Sequence, residues 1–159
     1  MSRSLLIMGA VYLLFAVPLS FINSRRFRIS LPLVLIGSAA LLLCRFVVLG
    51  QPPAVCRNLA FALGSSLLIF FCARVLSGDG LGWDDVFFGM FSALYTGFYM
   101  NIVAVVFAAL LGMLYYLMLA AVQRLSKKTH IHRPIFAIPF APFICAGSVL
   151  CVLLFYVIA

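Results

Sequence analysis

The sequence of 159 residues contains no glutamate, and only three aspartates supply carboxylate side chains. Charged residues make up 9% of the chain and hydrophobic residues 67%. A soluble domain has about a quarter of its residues charged, because it must present a polar surface to water. This scarcity of charge excludes an ordinary soluble domain. The mean hydropathy of +1.27 instead indicates a chain that is solvated by lipid.

Patterns that bind metal ions are also lacking. The five cysteines form no CxxC pair, so a zinc ribbon is unsupported, and no HExxH motif is present. Four cysteines fall in apolar runs, and Cys56 is predicted to lie in a loop. The two histidines, His130 and His132, have too few neighbouring ligands for a metal site. We therefore expect neither a metal ion nor another cofactor.

Long apolar runs separated by short polar breaks fill the rest of the sequence. A helical span needs about 20 residues, and six runs account for the length: residues 5–22, 29–49, 58–76, 86–98, 101–122 and 135–159. The fourth run is short. We predict an all-α membrane protein, one domain over residues 1–159, built as a bundle of about six transmembrane helices.

The basic residues predict how the bundle is oriented. Three of them, Arg3, Arg45 and Arg57, belong to one side of a six-span chain. The other eight belong to the first, third and fifth loops and their flanks: Arg25, Arg26, Arg28, Arg74, Arg124, Lys127, Lys128 and Arg133. Cytoplasmic loops carry the excess of Lys and Arg, so these loops are predicted to be cytoplasmic and both termini to be outside. Topology and contact with anionic lipids thus explain the net charge of +8, and no nucleic-acid partner is expected.

The interior of the bundle is expected to be apolar. Arg45 and Arg74 lie near span ends and are predicted to extend their charged groups to the membrane surface. The tyrosines and most phenylalanines, among them Tyr95, Tyr99 and Tyr115, are predicted to face lipid or its interface. A transporter would carry polar groups near the bilayer midplane, so this pattern counts against transport.

The three acidic residues, Asp79, Asp84 and Asp85, form one group before the fourth run, on the predicted cytoplasmic side. A charged side chain costs about 2.5–3.5 kcal/mol at the bilayer centre, so acids grouped at the edge of a span indicate a functional site. A purely structural explanation is equally weighted. Aspartate is a favoured N-cap, and the helix dipole stabilises negative charge at a helix N-terminus.

Three segments resemble the type IV prepilin leader peptidase family, which includes the archaeal preflagellin peptidases. Residues 80–86 (GLGWDDV) resemble its GxGxGD-type motif, with Asp85 in the place of the second catalytic aspartate and Asp84 where glycine is usual. Residues 138–142 (IPFAP) resemble its Ile-Pro-Phe-Gly-Pro segment. Residues 23–29 (NSRRFRI) resemble the first catalytic stretch, with Asn23 in the place of the first catalytic aspartate.

The resemblance implies a prepilin-peptidase-like aspartic endopeptidase in a bacterial or archaeal plasma membrane. Its substrates would be pilin-like membrane precursors, whose leader peptides are cleaved at the cytoplasmic face. Two carboxyls of such a site share one proton, because like charges close together cannot both ionise. The implied catalytic positions are Asp85 and Asn23, and the implied supporting residues are Gly80, Gly82, Asp84, Pro139 and Pro142. Longer family members carry a cysteine-rich region and methylate the product. This chain lacks that region, so no methyltransferase activity is expected.

Several positions depart from the family pattern. Asn23 cannot ionise, Ser30 replaces a proline, and Phe87 replaces a common lysine. Three explanations of Asn23 remain open: an introduced Asp→Asn replacement, a naturally inactive relative, or Asp79 acting as a substitute acid. The alternative function is a catalytically inactive scaffold or assembly factor of a pilus or secretion system.

Overall fold

The computed structural model of the chain contains six helices, α1 to α6, among the residues that it describes: 3–26, 29–49, 53–77, 81–125 and 139–158. The helices are Arg3–Arg26, Leu31–Leu49, Pro53–Leu76, Trp83–Thr96, Phe98–Leu125 and Ala141–Ile158. No strand occurs in these ranges, so the prediction of an all-α fold is confirmed.

Three of the helices are long and apolar enough to cross a membrane: Leu6–Ser24 within α1, Pro53–Leu76 and Phe98–Val122 within α5. Shorter apolar helices occupy Leu31–Val47 and Ala141–Phe155. Large apolar side chains such as Leu14, Val47 and Leu76 are exposed on the outer surface of the described bundle. Because lipid solvates such a surface and water does not, the chain has the character of a membrane protein.

Several predicted boundaries are wrong: α1 continues to Arg26, and α6 begins only at Ala141. The third helix begins at Pro53, five residues earlier than predicted, because proline at a first helical position loses no hydrogen bond. Cys56 therefore lies on α3, exposed, and not in a loop. The fourth and fifth helices are separated only by Gly97, whose φ of 76° suits a residue without a Cβ.

The short helix α4 (14 residues) lies at the centre and packs against all five other helices. Its buried face carries Val86, Phe88 and Phe91. Gly89 belongs to the same face, and a Cβ there would overlap the ring of Phe70 on α3, so this glycine permits the close approach of the two helices. The prediction that phenylalanines face lipid is therefore wrong for the rings that fill this core.

The core also contains a polar chain that the apolar prediction missed. Tyr12 Oη lies 3.3 Å from Ser92 Oγ, and Ser92 is hydrogen-bonded in turn to Ser148. These three side chains are fully buried and come from α1, α4 and α6. Because buried hydroxyls must find partners, the chain of hydrogen bonds favours one register of these helices over others.

Arg74 fixes the connection between α3 and α4. Its Nη1 donates to the carbonyl oxygen of Leu81 at 2.6 Å, and its guanidinium lies 4.9 Å from the ring centroid of Trp83. The predicted extension of Arg74 to the membrane surface is thus replaced by contacts that hold the start of α4. These contacts position the first turn of α4, which carries the acidic residues.

Candidate carboxylate site

The first turn of α4 carries both acidic side chains that the structure describes. The helix begins at Trp83, and Gly82 is its N-cap, without a side-chain cap. The N–H of Asp85 donates to the carbonyl oxygen of Gly82 at 3.2 Å. The structural explanation offered Asp84 or Asp85 as the N-cap, and neither residue takes that position. Both carboxylates lie inside the helix, where its dipole favours negative charge.

Asp85 meets Asn23 from the last part of α1. Asn23 Nδ2 donates to Asp85 Oδ1 at 3.3 Å, across 62 residues of sequence. Asn23 is 3% exposed and Asp85 is 8% exposed, so water reaches little of either side chain. The structure thus brings together the two positions that the resemblance assigns to the catalytic pair.

Asp84 contacts a different element. Its Oδ2 accepts a hydrogen bond at 3.0 Å from the backbone N–H of Ile29, which precedes α2. Consecutive side chains of a helix point about 100° apart, so Asp84 and Asp85 contact different partners. Asp84 therefore holds the α1–α2 connection against α4, while Asp85 faces α1.

An Asp84→Ala variant is expected to lose stability. The change leaves the N–H of buried Ile29 without an acceptor, and such a loss costs about 1–3 kcal/mol. Asp84→Asn keeps an acceptor oxygen and should lose less. Thermal unfolding of the purified variants in detergent measures the difference, and equal midpoints for both variants and the parent would contradict the role given to Asp84.

The segment around Ala141, which is the remaining one of the three that resemble the peptidase motifs, lies beside the Asp85 carboxyl. Ala141, the first residue of α6, is fully buried, and its backbone lies close enough to the Asp85 carboxyl to favour the ionised form of that carboxyl. Pro139 and Pro142 flank it, and Pro142 occupies the first turn of α6, where the missing N–H loses no helical bond. The N-terminus of α6 thus places one more positive partial charge beside Asp85.

The environment of Asp85 raises the pKa of its carboxyl to about 6. Burial is the main cause, and the nearby charge of Asp84 acts in the same direction. Hydrogen bonds from the backbone of Gly82, the amide of Asn23 and the backbone of Ala141 oppose the rise. Asp85 lies outside the three candidate spans, at the start of α4. A carboxyl with this pKa exchanges its proton close to neutral pH, as acid–base chemistry requires.

Two further departures from the family pattern have a local explanation. The carbonyl oxygen of Ser30 accepts the N–H of Val34 at 3.1 Å, so Ser30 begins the hydrogen bonding of α2. Phe87 is partly exposed and its ring centroid lies 6.5 Å from that of Trp83. Neither residue takes part in the contacts given above for Asp85.

Some predicted residues fall outside the described ranges. These are Asp79, Gly80, His130, His132 and the beginning of the sixth predicted run, together with the basic residues Arg28, Lys127, Lys128 and Arg133. Within the described ranges no cluster of three His, Cys, Asp or Glu side chains is arranged to hold a metal ion. The described site therefore consists of the carboxyls of Asp84 and Asp85, the amide of Asn23 and backbone N–H groups.

Sequence reasoning did not find the backbone contacts of Ile29 and Ala141, because backbone N–H groups leave no signature in side-chain patterns. The only available signal was the position of both residues inside the segments that resemble the peptidase motifs. Comparison of the whole chain with protein-family models, curated proteins and solved structures finds no match.

Proposed function

We propose that this chain is a six-span membrane protein with the site of a prepilin-peptidase-like aspartic endopeptidase, in which Asn23 occupies the first carboxylate position. The proposed orientation has both termini outside and the first turn of α4 at the cytoplasmic edge of the bilayer. The excess of basic residues in alternate loops supports this orientation. In this arrangement α2, α4 and α6 cross the membrane together with the three longer apolar helices.

One observation carries the proposal: three segments that are distant in sequence converge on the carboxyl of Asp85. Asn23 donates to it from the end of α1, and the backbone of Ala141 lies close to it from the start of α6. The separation of 3.3 Å between Asn23 Nδ2 and Asp85 Oδ1 is also a suitable spacing for two carboxyls that share one proton.

The chemistry depends on a second ionisable group at position 23. In an aspartic peptidase the ionised carboxylate takes a proton from water, while the protonated carboxyl donates to the scissile carbonyl. An amide can donate and accept hydrogen bonds but cannot relay a proton at neutral pH. The sequence as it stands is therefore expected to bind a leader segment without hydrolysing it.

The proposed substrate is a pilin-like membrane precursor with a short basic leader on the cytoplasmic side. Asp84 and Asp85 supply negative charge at the first turn of α4. The surrounding basic loops are proposed to contact anionic lipid headgroups, whose negative surface potential attracts Lys and Arg. In this proposal the acidic residues of α4 attract the leader, and the basic loops attract the membrane.

The test is restoration of the second carboxyl. Asn23→Asp is expected to cleave a pilin-like precursor in reconstituted vesicles, while the parent chain leaves the precursor intact. The shift of the product on a gel and the mass of the released leader measure the reaction. Ser24→Asp is a matched control, because it adds the same charge at the neighbouring exposed position.

The control variants separate catalysis from a general charge effect. Asp85→Asn in the Asn23→Asp background should abolish cleavage, and Ser24→Asp should remain inactive. An Asn23→Asp protein that is folded and inert towards the precursor would overturn the peptidase proposal. Equal cleavage by Ser24→Asp would show that the carboxyl pair is not the reactive group.

A scaffold is the second candidate function, and the same hydrogen bond favours it. Asn23 and Asp85 satisfy each other inside a nearly closed site, which suits a structural contact between α1 and α4. As a catalytically inactive relative, the chain would bind membrane components of a pilus or secretion system. Retention of a pilin-like precursor by the parent chain, with no cleavage by Asn23→Asp, is the outcome that distinguishes this candidate.

A further inference from the structure

A second polar feature lies at the other end of α4, around the break at Gly97. Arg45 from α2 is only 8% exposed, and its Nη1 donates to the carbonyl oxygen of Leu94 at 2.6 Å. The predicted extension of this side chain to the membrane surface is wrong, because the guanidinium turns inward to the end of α4. Its buried Nε has no hydrogen-bond partner.

The charge of Arg45 is only partly compensated. The C-terminus of a helix carries about half a unit of negative charge, which offsets part of the positive charge of the guanidinium. Both acidic side chains that the structure describes, Asp84 and Asp85, lie in the first turn of α4, at the opposite end from Leu94. A buried cation without a counter-ion is costly. The described residues around Arg45 provide no such counter-ion.

The start of α5 adds to the positive potential at this point. The N–H of Phe98 donates to Asn58 Oδ1 at 2.8 Å. The carbonyl oxygen of the preceding residue, Gly97, accepts the N–H of Asn101 and so begins the hydrogen bonding of α5. A Cβ at Gly97 would lie 3.3 Å from Arg45 Nη2 and 3.5 Å from the Asn58 amide, so both side chains border the same glycine. The N-terminus of α5 and the guanidinium therefore act on one small volume.

An apolar cavity opens beside this volume. It has a volume of about 600 Å³ and is lined by Asn58, Thr96, Phe98, Val103, Phe107 and Leu154, among others. Asn58 and Thr96 contribute polar groups to its wall, which is otherwise mainly aromatic and aliphatic and also includes Tyr99 and Cys151. Arg45 does not line the cavity itself, but its guanidinium borders Gly97 together with Asn58, which does line it. A cation beside an apolar cavity matches an amphiphile with a single anionic group.

We propose that the cavity binds one anionic phospholipid of the leaflet remote from Asp85, with its phosphate beside Arg45 and the N-terminus of α5. An acyl chain lies along Phe98, Val103 and Leu154. The phosphate supplies the negative charge that the described residues do not provide there, and it accepts hydrogen bonds from the guanidinium. This site is independent of the proposed peptidase activity.

Lipid retention by the purified full chain tests the proposal. Native mass spectrometry is carried out with dioleoylphosphatidylglycerol, with dioleoylphosphatidylcholine and with inorganic phosphate. One phosphatidylglycerol should remain bound at low lipid-to-protein ratio, while phosphatidylcholine and phosphate should bind at least about tenfold more weakly. Arg45→Gln should weaken phosphatidylglycerol binding about tenfold, which corresponds to about 1.4 kcal/mol.

Two variants provide matched controls. Arg57→Gln removes an exposed charge near the N-terminus of α3, at the same end of the bundle, and should change binding less than about twofold. Val103→Trp fills the cavity without touching Arg45 and should also reduce binding. If Arg45→Gln does not fold, Arg45→Lys and Val103→Trp still test the site, since Lys keeps the charge and should retain most of the binding.

The outcomes are decisive in both directions. Equal losses from Arg45→Gln and Arg57→Gln would indicate general attraction to a basic surface and overturn the proposal. Unchanged binding in Val103→Trp would show that the cavity holds no acyl chain and would also overturn it. Stronger binding of inorganic phosphate than of phosphatidylglycerol would exclude a lipid as the ligand.

Discussion

In an Asn23→Asp variant, the carboxyl of Asp85 is expected to remain protonated at pH values well above 6. In the parent chain the pKa of Asp85 is already raised from 3.8 to about 6, although the Asn23 amide donates a hydrogen bond that opposes the rise. The variant removes this donor and places a second carboxyl about as close as the amide, at 3.3 Å in the parent. Both changes disfavour ionisation of Asp85, so its pKa should rise further.

The expected effect on stability follows from linkage. A carboxyl whose pKa is higher in the folded state than in the unfolded chain favours folding while it is protonated, and this advantage is lost as pH rises through the folded-state pKa. In the parent the loss occurs between about pH 4 and pH 6. In Asn23→Asp it should continue to higher pH, and each further unit costs about 1.4 kcal/mol.

Thermal unfolding between about pH 5 and pH 8 measures this difference. The gap in midpoint between Asn23→Asp and the parent should widen as pH rises, and infrared spectra should show a protonated carboxyl at neutral pH. Asp85→Asn in the same background removes the pair and should abolish both effects. Parallel curves for the parent and Asn23→Asp would mean that the two carboxyls do not interact.

A Gly147→Ala variant is expected to disrupt the packing of α5 against α6. A Cβ at Gly147 would lie 2.5 Å from the carbonyl oxygen of Ala104 and 2.8 Å from the backbone N of Ala108. Both atoms belong to the α5 backbone, so neither can rotate away, and the helices must separate. Overpacking of this kind costs about 1–3 kcal/mol, and here no flexible side chain can absorb it.

Gly64→Ala is the matched control for Gly147→Ala. Gly64 lies within α3, and no atom lies within 4 Å of the Cβ that the change would add. Alanine is favoured over glycine in a helix interior by about 1 kcal/mol, so this variant should be neutral or stabilised. Thermal unfolding in detergent separates the two cases. Equal midpoints for the two variants would contradict the backbone contact at Gly147.

Much of the fold could be predicted because apolar runs and their breaks determine where membrane helices form. The errors occurred at residues whose side chains are compatible with more than one environment. Arg57 interrupts hydropathy near the start of α3, yet the helix begins before it, at Pro53. Phe70 and Phe88 suit lipid as well as protein, and only the packing around α4 decides that they are buried.

The sequence could indicate which segments form the candidate site, but not which atoms contact each other within it. The resemblance to peptidase motifs located Asn23 and Asp85, whose convergence depends on how α1 packs against α4. Arg45 was assigned to the membrane surface because side-chain length permits that position. Its burial follows from the end of α4 at Thr96 and the turn at Gly97, which are properties of tertiary structure.

The shortness of α4 has a consequence for the membrane itself. With 14 residues it extends about 21 Å, whereas α5 with 28 residues extends about 42 Å, and a hydrocarbon core is about 30 Å thick. If both helices cross one bilayer as proposed, they create hydrophobic mismatch of opposite sign. Because the other five helices pack around α4, the mismatch falls at the ends of α4, where water must enter. In the arrangement proposed above, water at the first turn of α4 would determine how readily the leader of the proposed substrate reaches Asp85.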